Sequence, residues 1–217
     1  LEPRLYYLYI PFRNQNRLPN FDSAEMDFSF AQIFTENRFS GHDRINDANE
    51  VTFAMTSRLI EQSTGNERVR IAAGQRVRFT ERDVVLSNSQ ITSVKSDFIA
   101  AISGRITPVI TTDSSIQLDQ SELRTEKIRT GISYHPAPGK VLNVGYRFTR
   151  GIPGIERGNN LFPVPGAGFE QVDFSTQWPV LKNWQAMASA NYSLDDDKLL
   201  AGLVGLEYNA CCWSLRF

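Results

Sequence analysis

The residues able to do chemistry are few in this 217-residue chain, and two of them stand side by side: Cys211 and Cys212 are its only cysteines. Neighbouring α-carbons across a trans peptide lie about 3.8 Å apart, short of the roughly 4.4–6.8 Å usual for a disulfide, so a bond between the two would be strained. The pair fits neither metal-ligand spacing nor a CxxC redox motif. Two readings remain: buried free thiols, or two bridges to cysteines elsewhere. His42 and His135 are the only histidines, and neither sits in a GxSxG, HExxH or comparable context where a base activates a nucleophile or holds a metal. Asp195-Asp196-Asp197 resembles a cation loop but lacks the glycine and distal glutamate of a calcium site, and reads as a solvated turn. No phosphate loop or dinucleotide fingerprint occurs, so no cofactor or metal is expected. The balance of 23 Lys+Arg against 24 Asp+Glu excludes a general nucleic-acid-binding surface.

The elements that must carry these residues are legible in the apolar spacing. Leu142, Val144, Tyr146 and Phe148 alternate with Asn143, Gly145, Arg147 and Thr149, the period-two signature of a strand with two unlike faces. Val172, Phe174 and Trp178 alternate with Gln171, Asp173, Ser175 and Gln177. Trp184, Ala186, Ala188, Ala190 and Tyr192 then alternate with Gln185, Met187, Ser189, Asn191 and Ser193. Earlier, Val69, Ile71, Ala73, Val77 and Phe79 oppose a cationic face of Arg70, Arg76 and Arg78. Turn signals punctuate the runs at Thr64-Gly65-Asn66, Pro136 to Gly139, Leu181-Lys182-Asn183, Asp195 to Lys198 and Asn209-Ala210. The pattern predicts an all-β antiparallel meander with strands over 2–12, 24–36, 49–62, 67–80, 95–107, 109–120, 123–135, 140–151, 169–179, 184–194, 199–209 and 211–217. Only 49–62 and 122–130 could equally be read at helical spacing. The Pro/Gly-rich stretch Gly151 to Gly168 lies inside the hairpin pattern and reads as a loop, not a domain boundary.

Strand length decides between a soluble sandwich and a membrane barrel. The longest nearly continuous apolar run, Leu199 to Leu206, is far short of the roughly 18 residues a spanning helix needs. The later strands, however, run to about 11 residues, and at about 3.3 Å per residue and a tilt near 40° each covers about 28 Å, close to the hydrocarbon thickness of a bilayer. Globular strands average about five or six residues. The expected architecture is therefore a transmembrane β-barrel segment of about 12 long meander strands, with all of residues 1–217 in one barrel domain. Most short connections fall at one end and most long ones at the other, as in outer-membrane barrels with periplasmic turns and external loops. On the polar faces, Arg70, Arg76, Arg78, Arg105, Arg129, Arg147 and Asp173 are expected to line a wet lumen, pairing with acids and admitting polar or anionic groups. By the same parity the cysteine pair falls at the periplasmic end, an oxidising compartment where disulfides persist.

Several segments carry a family resemblance: LEPRLYYLYIPFRNQ with PNFDS, then NRFSGHDRINDANEVTFAMTSRLI, then WPVLKNW, and finally EYNACCW. Together they are similar to the C-terminal barrel region of the lipopolysaccharide-assembly family LptD. The resemblance runs nearly end to end. It implies a 26-stranded outer-membrane barrel of which this chain holds part of the wall, with the N-terminal periplasmic jelly-roll domain and the first and last barrel strands absent. It also implies a plug lipoprotein, LptE, and contact with the periplasmic lipopolysaccharide-transport bridge through the jelly-roll domain. In that family the vicinal cysteines, here Cys211 and Cys212, pair with two cysteines of the N-terminal part. The expected function is assembly of lipopolysaccharide in the outer leaflet of the outer membrane, without covalent chemistry. The alternative is a self-contained 12-stranded outer-membrane channel or barrel hydrolase.

Overall fold

The structure, a computed structural model, describes residues 1–24, 26, 29–81, 83–84, 86, 97–119, 124–151, 168–210 and 212–217. Among the described residues there are eleven strands: β1 (Glu2–Ile10), β2 (Ala48–Ile60), β3 (Glu67–Arg78), β4 (Asp97–Thr107), β5 (Ile110–Asp119), β6 (Arg124–Ala137), β7 (Lys140–Thr149), β8 (Phe169–Leu181), β9 (Trp184–Ser193), β10 (Lys198–Asn209) and β11 (Ser214–Arg216). They form one sheet in sequence order, β1 through β11. Of the two segments that helical spacing also suited, 49–62 holds most of β2 and the described part of 122–130 lies in β6, residues 122 and 123 being outside the described residues. No helix among the described residues is long and apolar enough to cross a membrane. From β1 to β10 the strands run from 9 to 14 residues, the length expected for crossing a bilayer. The tight connections carry the turn chemistry that the sequence announces: Gly139 (φ 76°) closes β6–β7 and Asn183 (φ 67°) closes β8–β9, both in the left-handed region that these residues tolerate.

Among the described residues within 24–36 no strand forms; residues 29–35 turn, with Gln32 N–H donating to the Ser29 carbonyl (3.0 Å) and Thr35 N–H to that of Gln32 (3.1 Å). The described residues thus hold eleven strands where twelve are expected. The physical reason lies in local partners: Met26 N–H donates to the Arg38 carbonyl and Ser40 N–H to that of Ala24, both at 2.8 Å, while Thr52 and Arg76 donate to the carbonyls of Ile33 and Gln32.

By its contacts the chain divides into two compact units. The first comprises 1–57, 71–101 and 117–124. Here β1 and β2 pair antiparallel, Tyr6 opposite Thr52 and Leu8 opposite Glu50. Ala48, Glu50, Thr52 and Ala54 on β2 are buried, while Phe53 and Met55 between them are exposed. The cover is the chain's own 11–47 segment. Its Ile33 is 0% exposed, and its carbonyl accepts from the Thr52 hydroxyl at 3.4 Å. A β-carbon on Gly74 would stand 2.9 Å from Ile33 Cδ1, so the glycine opens the seat that the isoleucine fills.

The segment is stapled by side chains. Asp43 Oδ2 accepts from the backbone N–H of Phe21 (2.6 Å) and Asp22 (2.9 Å). Those two amides, with Asp22 foremost, hold the Asp43 carboxyl below its usual range. Gln15 exchanges bonds with the backbone of Ile45, Arg44 reaches the Leu18 carbonyl at 2.6 Å, and Asn46 Oδ1 receives Arg38 N–H at 2.9 Å. Asp47 accepts from Asp83 and Val84 N–H at 2.9 and 3.0 Å.

The second unit comprises 58–70, 102–116 and 125–217. Its strands pair antiparallel with alternate faces segregated. Val144 stands opposite Ile132 on one side and Phe174 on the other, and Phe174 opposite Ala190; Ile132, Val144 and Phe174 are all exposed. Soluble monomers rarely expose apolar patches beyond a few hundred Å². At Gly104 (φ 146°) a β-carbon would lie 2.2 Å from the Arg68 carbonyl, a backbone approach between β3 and β4 that only glycine permits. A bulge between Leu199 and Ala201 on β10 inserts one residue. It brings Leu203 opposite Ser189, onto the polar side.

Candidate polar face and cysteine turn

On β6 to β9 the face opposite the exposed apolar residues is built in rows. Ser133, Asn143, Ser175 and Ser189 stand opposite one another in succession. So do Gly131, Gly145, Asp173 and Asn191, and then Arg129, Arg147, Gln171 and Ser193. Arg147 grips Asp173 with two bonds, Nε to Oδ2 at 2.8 Å and Nη2 to Oδ1 at 3.0 Å. It also reaches Gln171 at 3.3 Å. Asp173 Oδ1 takes a further bond from Asn191 Nδ2 at 2.6 Å. The grip is diagonal: Asp173 lies opposite Gly145, two residues before Arg147.

The other cations on the polar face do not join one cluster. Arg70 forks onto Glu67 of its own strand at 2.9 and 3.0 Å. Arg105 is exposed, and its charge acts on Glu61. The hydrogen bond from Arg68, then that from Thr64, draws the Glu61 carboxyl below its usual range, and Arg105 adds to the effect. Arg129 is exposed opposite Arg147. In the first unit Arg76 and Arg78 are buried; Arg76 pairs with Glu50 at 3.3 Å and donates to the carbonyls of Gln32 and Ile33 in the 11–47 segment. Sequence reasoning placed these arginines by face and missed Glu50 and the 11–47 cover. The signal was present in the dense Asn, Asp, Arg and Gly pattern of NRFSGHDRINDAN.

Asp195 to Asp197 form the β9–β10 turn. Asp195 caps Glu170 N–H at 2.7 Å, Asp196 bonds Ser193 at 3.2 Å and pairs with Lys198 at 3.5 Å, and Asp197 accepts from the Tyr192 hydroxyl. The turn is exposed, as the sequence predicts, and its carboxylates tie it together. Among the described residues no group of three acid, histidine or cysteine side chains is placed to hold a metal.

At the opposite strand ends Ala210 N–H donates to the Trp213 carbonyl at 2.9 Å, closing the β10–β11 turn. Cys212 sits exposed in it; Cys211 lies outside the described residues. Beside the turn Trp184, Tyr208 and Trp213 stack in series, with ring centroids 5.1 and 5.2 Å apart. This aromatic brace holds the cysteine turn against the ends of β9 and β10.

A sheet of bilayer-length antiparallel strands that leaves one apolar face exposed and rows polar and charged groups on the other is wall of an outer-membrane-type β-barrel. The chain belongs to the LptD family: the family model described as "LPS transport system D" matches residues 1–184. The LPS-assembly protein LptD of Nitrosomonas europaea is 63% identical over 217 residues, covering 100% of this chain and 28% of that protein. The LPS-assembly protein LptD of Nitrosospira multiformis is 54% identical over 217 residues, covering 100% and 22%. The chain thus spans about a quarter of the length of these curated relatives.

Proposed function

We propose that this chain is a stretch of barrel wall in an outer-membrane protein that, as a whole, assembles lipopolysaccharide in the outer leaflet by non-covalent transport. The observation that carries the reading is the segregation of faces on β6 to β9: Ile132, Val144 and Phe174 are exposed on one side, and the Arg147–Asp173 row lies on the other. An amphipathic lipid needs such a wall, with polar groups for its phosphorylated saccharide and an apolar exterior continuous with the membrane for its acyl chains. Membership in the LptD family supports the cargo. It also supports the partners: a plug lipoprotein LptE, and a periplasmic N-terminal domain that joins the barrel to the transport bridge. Cys211 and Cys212, being the chain's only cysteines, would bridge to cysteines of that domain.

Depleting the full-length protein in its Gram-negative host should lower newly made lipopolysaccharide at the cell surface, read with a membrane-impermeant saccharide label, in step with the protein. Undiminished surface lipopolysaccharide would overturn the proposal.

A further inference from the structure

On β6 and β7 two short motifs face each other in opposite directions: Arg129-x-Gly131 and Gly145-x-Arg147, with Arg129 opposite Arg147 and Gly131 opposite Gly145. Like charges directly opposite on one face repel. On the β7 side the charge is met, because Arg147 leans across Gly145 onto Asp173. On the β6 side it is not. Among the described residues Arg129 makes no ion pair, and Asp113, whose carbonyl lies 3.6 Å from where a β-carbon of Gly131 would stand, does not supply one. Over the two glycines lies an open groove of about 390 Å³ whose polar lining includes Ser133, Asn143, Asp173 and Asn191; Arg129 stands two residues along β6 from Gly131, on the same face. Small-molecule sites begin at roughly 300 Å³, and one water takes about 30 Å³, so the space suits a ring and not a bare ion. Ser133, Asn143 and Asn191 offer neutral donors and acceptors suited to hydroxyls, the Asp173 carboxylate is met by Arg147, and the side-chain oxygen of Asn191 has no donor.

We infer that this groove is a subsite for an acidic sugar, phosphorylated or carboxylated, whose ring lies over the bare backbone of Gly131 and Gly145 and whose anionic group takes the open Arg129. The inference rests on the transport reading above and gives its cargo one place on the wall. Bare backbone lets a flat ring approach as no side chain would. The anion relieves the Arg129–Arg147 repulsion, and the guanidinium meets phosphate or carboxylate with two parallel bonds.

The test uses the full-length protein in lipid nanodiscs, titrated by saturation-transfer NMR with glucose 1-phosphate, glucose and inorganic phosphate in turn. Glucose 1-phosphate should bind most tightly, Arg129→Gln should weaken it by about tenfold, Arg129→Lys should keep most of it, and Gly131→Leu should abolish it. Inorganic phosphate binding as well as the sugar phosphate, or no effect of Arg129→Gln, overturns the subsite. A photocrosslinker at Ser133 in living cells should capture lipopolysaccharide; capture of a protein instead, or of nothing, overturns it as well. The two readings fail separately: the titration reads the groove without transport, and surface lipopolysaccharide in the depleted host reads transport without the groove.

Discussion

Replacing Glu50 with alanine is expected to destabilise the seat of the 11–47 segment by about 3–5 kcal/mol, the cost of leaving one member of a buried pair without its counter-charge. Glu50 is 7% exposed and Arg76 5%, and they meet at 3.3 Å. The guanidinium also donates to the carbonyls of Gln32 and Ile33, so it ties the turn at the segment's tip to β3 while Glu50 ties it to β2. With Glu50 gone, Arg76 regains hydration only if the tip lifts and Ile33 leaves its seat against Gly74. Hydrogen exchange in the full-length protein should then quicken at the amides of Gln32 and Thr35, which are hydrogen-bonded inside the covered turn. The double change Glu50→Leu with Arg76→Leu should recover much of the loss, because a buried ion pair replaced by apolar groups of similar volume is often neutral. Unchanged exchange in Glu50→Ala would show that the pair does not hold the segment.

The second large effect concerns the cysteine turn. If Cys211 and Cys212 bridge to the N-terminal domain as proposed, Cys211→Ser together with Cys212→Ser in the full-length protein should abolish those bridges. Single changes should leave one bridge each. The exposed setting of Cys212, braced by Trp213, Tyr208 and Trp184, suits a thiol that must be reached from outside the sheet. Mobility on a non-reducing gel reports the result, and unchanged mobility of the double variant would refute the bridges.

Most of the sheet was legible because a strand with unlike faces writes its period directly into the sequence: Val144, Tyr146 and Phe148 against Asn143, Gly145 and Arg147 suffice to place β7. The segment at 24–36 misled for the same reason. Met26, Phe28 and Phe30 also fall on alternate positions, yet Thr52 and Arg76 hold the carbonyls of Gln32 and Ile33 and Met26 N–H bonds the Arg38 carbonyl, and such bonds have no period. The arginines were legible by type and face, but not by partner. Whether a cation is buried beneath Ile33, as Arg76 is, or open, as Arg129 is, depends on long-range folding of the 11–47 segment and on strand register. Neither can be read from local spacing. The bulge at Leu199/Ala201, which turns Leu203 to the polar side, left no sequence mark either.

The central claim is that β6 to β9 are barrel wall with lipid on one face and water on the other, and nitroxide labels test it most directly. Labels placed singly at Val144, Phe174 and Ala188 in the full-length protein in bilayers should collide with oxygen dissolved in lipid and be shielded from a water-soluble nickel complex. Labels at Asn143, Ser175 and Ser189 should show the reverse, giving an alternation of period two along each strand. Water contact at Val144, Phe174 and Ala188 would contradict the account.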